Sequence, residues 1–110
     1  MLIFPLKKEW YEKIKSGEKT IEYREVKPYW TSRLLKIGIG VNVHDDTPNI
    51  FKPKQCKLRL GYTDKYLSAN ITKVCLIVNG KDTDLAIDDP VYAIHLADVR
   101  EVKECLKQYK

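Results

Sequence analysis

The chain has 110 residues, 44% of them hydrophobic, and a formal net charge of +5. This length fits one domain over residues 1–110, with a modest core that needs no metal or crosslinks. The basic balance favours an anionic partner such as nucleic acid, although the excess is mild. The uncharged runs, such as residues 74–80, are far too short to span a bilayer, so we expect no membrane association.

The chain contains three cysteines, Cys56, Cys75 and Cys105. Their odd number and the lack of a CxxC spacing argue against a disulfide framework or a zinc site. Free thiols are typical of a reducing compartment, and the first residues do not resemble a secretory signal. We therefore expect a cytoplasmic protein, and we expect it to be a monomer that needs no metal and no cofactor.

The N-terminal part of the chain predicts a strand followed by a helix. Residues 2–6 form a short apolar run, and residues 7–16 place Trp10 and Ile14 four positions apart on one helix face. Gly17 is well placed to end that helix in a left-handed turn.

The next segment, residues 19–26, alternates with period two, which predicts a strand. Ile21 and Tyr23 lie on one face of it. The opposite face carries a row of polar side chains: Thr20, Glu22 and Arg24.

The middle of the chain is partly ambiguous. Pro28 suits a first helical position and Trp30 shares a face with Leu34, so residues 28–35 predict a short helix. Residues 36–53 fit either a strand or a flexible loop, because glycines interrupt the apolar run and turn residues follow.

The C-terminal half predicts three more strands, at residues 55–62, 69–78 and 91–99. The last of these is apolar on both faces and should be a central, doubly buried strand. Residues 100–110 predict a short helix. The whole pattern predicts an α+β fold, a small and largely antiparallel sheet that closes into an open β-barrel with flanking N-terminal helices.

The polar row of the second predicted strand is the first candidate site. Its members lie about 6.5–7 Å apart along one face, and Lys19 stands at the mouth of the strand. A Lys beside a Glu can act as a paired donor and acceptor or, if desolvated, as a general acid and base. The alternative is a solvated strand face with a Glu22–Arg24 ion pair that contributes little to stability.

Two further segments combine aromatic and basic residues. Tyr29 and Arg33 share a helix face, where a ring could stack on a base and a cation could neutralise a phosphate. Trp30 lies beside them, and its spacing to the apolar face favours a core position. On the strand at residues 55–62, Arg59 and Tyr62 could extend a basic patch, and a plain solvent-facing strand fits that segment equally well.

The remaining residues that could carry chemistry give weaker signals. His95 lies in a row of small apolar residues, which favours a hydrogen-bonded core histidine. His44 precedes two aspartates, but a lone loop of this kind is weak evidence for a metal site. Cys75 lies in the middle of a strand and is predicted to be an inert core thiol.

Taken together, several segments resemble an ASCH domain, a member of the PUA-like superfamily. The resemblance covers nearly the whole chain except residues 36–53, and it rests on these ordered segments: Trp10-Tyr11-Glu12-Lys13-Ile14-Lys15, Gly17-Glu18-Lys19-Thr20-Ile21-Glu22-Tyr23-Arg24, Pro28-Tyr29-Trp30, Arg33-Leu34, Leu58-Arg59-Leu60-Gly61-Tyr62 and Val91-Tyr92-Ala93-Ile94-His95-Leu96. It implies an open β-barrel with a cleft lined by the Gly-x-Lys-Thr strand.

The resemblance also implies a function. ASCH domains are regarded as RNA-binding or RNA-processing modules, and some bacterial relatives hydrolyse an acylated cytosine nucleoside. Lys19 matches the catalytic lysine of that hydrolase branch. The threonine that assists it three residues later is Glu22 here, and a carboxylate cannot replace a hydroxyl nucleophile without a change of mechanism. The branch's second catalytic carboxylate is not assigned to a residue.

Two functional hypotheses follow. The first is a module that binds RNA or a nucleotide in the cleft, with ligand contacts from Thr20, Arg24, Tyr29, Arg33, Arg59 and Tyr62. The alternative is a small hydrolase acting on RNA or an acylated pyrimidine nucleoside, with Lys19 and Glu22 as the catalytic acid–base pair. A buried, hydrogen-bonded Lys19–Glu22 pair in a closed pocket would favour the enzyme, and an open, positive groove would favour binding.

Overall fold

Five strands and two helices make up the described part of the chain, residues 2–37 and 53–102 of a computed structural model. The elements are β1 (Leu2–Leu6), α1 (Lys8–Ser16), β2 (Ile21–Glu25), α2 (Pro28–Lys36), β3 (Lys54–Leu60), β4 (Tyr66–Ile77) and β5 (Val91–Val102). The ambiguous prediction over residues 38–52 and the weak metal signal at His44 lie outside the described residues.

The strands form one sheet in the order β1-β3-β4-β5-β2, which curls into a half-barrel. β1 runs parallel to β3, and the other three pairings are antiparallel. The predicted α+β class and the largely antiparallel sheet are therefore confirmed. β1 and β2 are the two edge strands, so the open side of the half-barrel lies between them.

Local chemistry accounts for the end of α1 and for the start of α2. Gly17 follows α1 with a φ of 88°, a left-handed conformation, and its N–H donates to the Ile14 carbonyl over 3.1 Å. Pro28 opens α2. The buried side chains of these helices are Tyr11 and Ile14 on α1 and Leu34 on α2, and they belong to the hydrophobic core.

The core lies inside the curl of the sheet and is capped by the helices. Phe4, Leu58 and Ile94, from three different strands, are each 0% exposed. The prediction that β5 is buried on both faces is confirmed, because Ala93 on the opposite face is only 3% exposed. β5 lies between β4 and β2 in the interior of the sheet.

The strand ends differ from the sequence expectation at one end of the sheet. β4 begins at Tyr66 rather than at residue 69, and β5 continues to Val102, so the helix predicted from residue 100 is wrong for residues 100–102. Tyr66 pairs with Val102, and this ladder extends both strands beyond an irregular register near Asp98, whose φ is 55°. Residues 103–110 are outside the described part.

The Cys56 and Cys75 thiols are both buried, and neither takes part in a disulfide. Among residues 2–37 and 53–102, no helix is long and apolar enough to cross a membrane.

Candidate functional site

Lys19 is held at the junction of α1 and β2. After the Gly17 turn, the Lys19 N–H donates to the Lys13 carbonyl over 3.0 Å, which directs the chain back along the helix. The Lys19 side chain is only 9% exposed. Its ammonium donates to the Ile21 carbonyl and to the carboxylate of Asp84.

The same ammonium lies between two aromatic rings and a second carboxylate. Lys19 Nζ is 5.4 Å from the ring centroid of Trp10 and 5.0 Å from that of Tyr23. It is 3.7 Å from Glu22 Oε1, an ion-pair distance rather than a direct hydrogen bond. Aromatic faces and two carboxylates therefore compensate the loss of hydration that burial imposes on the ammonium.

Glu22 is a buried charged residue at the centre of the site, 5% exposed. Its Oε2 accepts from Arg24 Nε at 2.8 Å and lies 2.7 Å from Arg24 Nη2. Burial raises the pKa of the Glu22 carboxyl above its usual range, although the charges of Arg24 and Lys19 act in the opposite direction. A carboxyl of this kind is easier to protonate than an exposed one.

Arg24 connects the two edge strands across the open side of the half-barrel. Its Nη2 donates to the Pro5 carbonyl of β1 over 2.8 Å while the same guanidinium holds Glu22 on β2. The guanidinium also lies 4.9 Å from the Trp30 ring centroid and 5.4 Å from that of Phe4. Trp30 stacks on Phe4 and packs against the core, as its spacing predicts.

The polar row therefore has a different environment from the solvated face that the alternative reading expects. Glu22 and Arg24 share the face of β2 that turns toward the interior, because Glu22 is paired with the fully buried Ile94. The expected Glu22–Arg24 ion pair exists, but it is shielded from water. Thr20 is exposed, just before β2 begins.

Two adjoining cavities open beside this cluster and together form what we call the cleft. The smaller, about 320 Å³, is lined by Lys19 and Thr20, and the larger, about 470 Å³, by Glu22 and Arg24. Three residues line both cavities: Trp10, Tyr23 and Asp84. The Lys19–Asp84 contact thus lies at the boundary between the two parts of the cleft.

The charges of the cleft are nearly balanced. In the smaller cavity, two lysines face two carboxylates, and in the larger one three cations face four carboxylates. The net charge of +5 is therefore carried by other parts of the chain. The cleft combines a buried Lys19–Glu22 pair with an opening to solvent, so it matches neither of the two expected patterns completely.

Tyr29 and Arg33 form a separate pair on α2. The Arg33 guanidinium lies 3.5 Å from the Tyr29 ring centroid, which confirms that the two side chains share a face. They line a third cavity of about 280 Å³, together with Lys36 and the apolar side chains of Leu2, Ile3 and Ile37. Its charged lining residues are both cations, unlike those of the cleft.

This pair is nevertheless linked to the cleft through aromatic contacts. Tyr29, 53% exposed, meets the edge of the Trp30 ring at a centroid distance of 4.8 Å. Trp30 in turn lies against Arg24. A continuous series of rings and guanidinium groups runs from the surface of α2 to the buried Glu22.

Arg59 and Tyr62 are not brought to the cleft. Arg59 follows the fully buried Leu58 on β3, so its side chain lies on the opposite, outer face of the sheet. Tyr62 is 88% exposed, in the turn after β3. Neither residue lines either cavity of the cleft.

The residue that sequence reasoning missed is Asp84. It belongs to the segment between β4 and β5, which turns back on itself where the Gly80 N–H donates to the Asp89 carbonyl over 2.9 Å. Asn79-Gly80 is a dipeptide typical of turns, but Asp84 is 65 positions from Lys19 and no spacing connects them. Only the tertiary fold brings this carboxylate to the ammonium.

Comparison with known proteins does not assign a family. No protein-family model, curated protein or solved structure shows a significant match to the chain.

Proposed function

We propose that this protein is a nucleotide- or RNA-binding domain of the ASCH type, within the PUA-like superfamily, which holds one base in the cleft beside Lys19. The observation that carries the proposal is the Lys19 ammonium between the rings of Trp10 and Tyr23, on the wall of a 320 Å³ cavity. Aromatic faces stack on bases, and buried ammonium and carboxylate groups can hydrogen-bond to base edges.

The size of the cleft supports one nucleoside-sized ligand rather than a longer segment. Sites for small molecules usually enclose about 300–1,000 Å³, and the cavity at Lys19 has about 320 Å³. A base in this cavity would lie against Trp10 and reach the hydroxyl of Thr20. Neighbouring parts of the ligand would extend into the larger cavity at Glu22.

The charge balance of the cleft separates base recognition from phosphate recognition. Because cations and carboxylates are matched there, we expect the cleft to bind an uncharged nucleoside with little dependence on salt. Phosphates of a longer strand would instead meet Arg33 and Lys36 on α2, where the lining charges are both positive. The exposed Tyr29 between these cations and Trp30 offers a second stacking surface.

Variants with altered aromatic residues test this proposal. Trp10→Leu removes a ring from the cleft, and the matched control Tyr62→Leu removes one that is remote from it. We expect Trp10→Leu to weaken binding of nucleoside and of short single-stranded RNA by about 1–3 kcal/mol, the usual value of one base–aromatic stack. Equal affinities of Trp10→Leu and Tyr62→Leu for both ligands, measured by titration calorimetry, would refute the assignment of the cleft.

A charge variant tests the role of the ammonium. Lys19→Met removes the charge and keeps most of the length, and Lys65→Met is a control on an exposed turn. Loss of a hydrogen bond to a charged group typically costs about 1.5–3 kcal/mol, so we expect a loss of affinity in that range for Lys19→Met alone. Binding is to be measured well below the melting temperature of each variant, because Asp84 loses its partner in Lys19→Met.

One observation favours a second candidate function, hydrolysis. Lys19 lies between two carboxylates, and burial raises the pKa of one of them, Glu22. In a hydrolase, a carboxylate at this position would take a proton from an attacking water and pass it to the leaving group, while the ammonium would stabilise the developing oxyanion. Asp84 would orient Lys19, and Thr20 would contact the substrate.

Turnover of an acylated cytidine and of a short single-stranded RNA tests the second candidate. Glu22→Gln retains the shape of the side chain and removes its base, so an enzyme should lose about 10²–10⁴-fold in rate. Undiminished activity of Glu22→Gln would exclude the role of Glu22. If the wild-type protein turns over neither substrate but binds one of them, the binding function stands alone.

A further inference from the structure

A second pair of reactive side chains lies on the outer face of the sheet, opposite to Glu22. Cys75 on β4 is paired with Ala93 on β5, and His95 lies two residues further along β5. Cys75 and His95 are therefore diagonal neighbours on one face. The Cys75 Sγ lies 4.0 Å from His95 Nε2, within the distance of a sulfur hydrogen bond.

This pair lines a cavity of about 300 Å³ that adjoins the cleft, since Ile21 and Tyr23 also line the cavity at Lys19. The rest of the lining is apolar except for the Tyr23 phenol, and it consists of Ile21, Tyr23, Leu76, Ile77, Val78 and Ala93. The register places Ala93 between Cys75 and Tyr23 in one row across three strands. Its small side chain leaves the space from which a molecule can approach the thiol.

We propose that Cys75 and His95 form a reactive thiol–imidazole pair that captures small, uncharged electrophiles of the α,β-unsaturated carbonyl class. The inference is independent of the function of the cleft. The predicted burial of Cys75 is confirmed, since the residue is 1% exposed. The sequence predicts that the Cys75 thiol is inert, whereas this proposal makes it reactive.

The chemical step is a conjugate addition. The imidazole of His95 takes the thiol proton while the Cys75 sulfur forms a bond to the β-carbon of the electrophile. The carbon–carbon π bond breaks, its electron pair moves to the α-carbon, and the imidazolium returns the proton there. No oxidant or leaving group is required, and a thioether is the product.

The lining determines the class of electrophile. An apolar wall does not compensate a charged ligand for the water that it loses, so anionic reagents are disfavoured. The volume admits only a small molecule, and the low exposure of Cys75 excludes approach from bulk solvent along other directions. A small unsaturated amide such as acrylamide meets both conditions.

Cys56 is an internal control with the opposite environment. It is 0% exposed inside the core, where burial raises the pKa of its thiol to about 12, and the nearby Glu22 charge acts in the same direction. The two described cysteines therefore differ in what surrounds the sulfur, although both are buried. A selective reaction of Cys75 reports on the cavity and on His95 rather than on exposure.

The test is the rate of acrylamide addition to the full chain, followed by peptide mass mapping so that each cysteine is measured separately. We expect Cys75 to react faster than Cys56, and His95→Gln to slow Cys75 by about 10²-fold, the lower end of the usual general-base contribution. Rates are normalised to glutathione, and the melting temperature verifies that each protein is folded.

A second variant keeps the test decisive if His95→Gln does not fold. Ala93→Val fills the cavity and leaves both reactive groups in place, so it should slow Cys75 and leave Cys56 unchanged. Equal slow rates for the two thiols in the folded wild-type protein would overturn the proposal. It would also be overturned if Cys75 reacted at an undiminished rate in folded His95→Gln, or in folded Ala93→Val.

Discussion

Replacement of Arg24 by Met tests how the buried charges of the cleft are held. The change removes the guanidinium that contacts Glu22 at 2.7 and 2.8 Å and the Pro5 carbonyl at 2.8 Å. Removal of one partner of a buried ion pair typically costs about 3–5 kcal/mol. We expect the lower end, about 3 kcal/mol, because Lys19 remains 3.7 Å from Glu22 and the Arg24 side chain is 18% exposed.

The assay is urea denaturation followed by tryptophan fluorescence, which gives the free energy of unfolding, together with a thermal melt, which gives the melting temperature. For a domain of this size, each 1 kcal/mol corresponds to roughly 4 °C in melting temperature, so Arg24→Met should lower it by about 12 °C. The matched control is Arg100→Met, an exposed arginine on β5 whose loss should cost less than about 0.5 kcal/mol. The double variant that combines Arg24→Met with Glu22→Gln should recover part of the lost stability, because it no longer contains a buried carboxylate without its arginine partner.

The pH dependence gives an independent check. The folded-state pKa of Glu22 is already raised above 4.5, and loss of Arg24 removes the largest influence that lowers it. The penalty of Arg24→Met should therefore be full above the raised pKa and should decrease as acidification protonates Glu22. The reasoning is refuted if Arg24→Met costs no more than Arg100→Met, or if its cost increases toward acid pH.

Three further predictions concern stability and the assembly of the cleft. Because the folded-state pKa of Glu22 is raised, the wild type should lose stability relative to Glu22→Gln as the pH rises through that pKa. Denaturation at several pH values measures this dependence, and a stability difference that changes in the opposite direction would contradict the prediction. Gly17→Ala should destabilise the fold by about 1–2 kcal/mol, the cost of a left-handed φ of 88° for a residue with a side chain. No steric clash adds to this cost, because no atom lies within 4 Å of the new methyl group, and an unchanged melting temperature would contradict the prediction. Gly80→Ala should cost about 1–3 kcal/mol, because the new methyl group would lie 2.6 Å from Val91 Cγ1. It should also shift the NMR signals of Asp84, and unaltered signals would contradict the link between this turn and the cleft.

The local elements could be predicted because their signals are local. The spacing of Trp10 and Ile14, the Gly17 stop and the Pro28 start define the two helices within one residue of the observed bounds. Alternation reveals β2 for the same reason. These features depend on backbone preferences and on side chains a few positions apart.

The environment of the candidate site could not be predicted in the same way. Alternation separates the two faces of β2 but does not say which face turns inward, and the inner one carries Glu22 and Arg24. The Arg24 guanidinium is stabilised on that inner face by groups distant in sequence, namely the Pro5 carbonyl and the Trp30 ring. Asp84 approaches Lys19 from a segment after β4, and this contact exists only in the folded chain.

The position of a strand in the sheet also escaped sequence reasoning. The sequence predicts that Arg59 could extend a basic patch, but β3 turns Leu58 into the core and leaves Arg59 on the outer face, away from the cleft. The ends of β4 and β5 likewise depend on their mutual pairing, as at Tyr66 and Val102, rather than on local propensity.

The most direct test of the proposed binding function is an NMR titration of the two tryptophan indole N–H signals with cytidine and with a short single-stranded RNA. Trp10 lines the cavity at Lys19, whereas Trp30 lines only the larger part of the cleft. We predict that both ligands shift the Trp10 indole signal and the Lys19 and Tyr23 amide signals, and that the RNA additionally shifts Tyr29 on α2. Binding that leaves Trp10, Lys19 and Tyr23 unchanged, or no binding of either ligand, would contradict the assignment of the cleft.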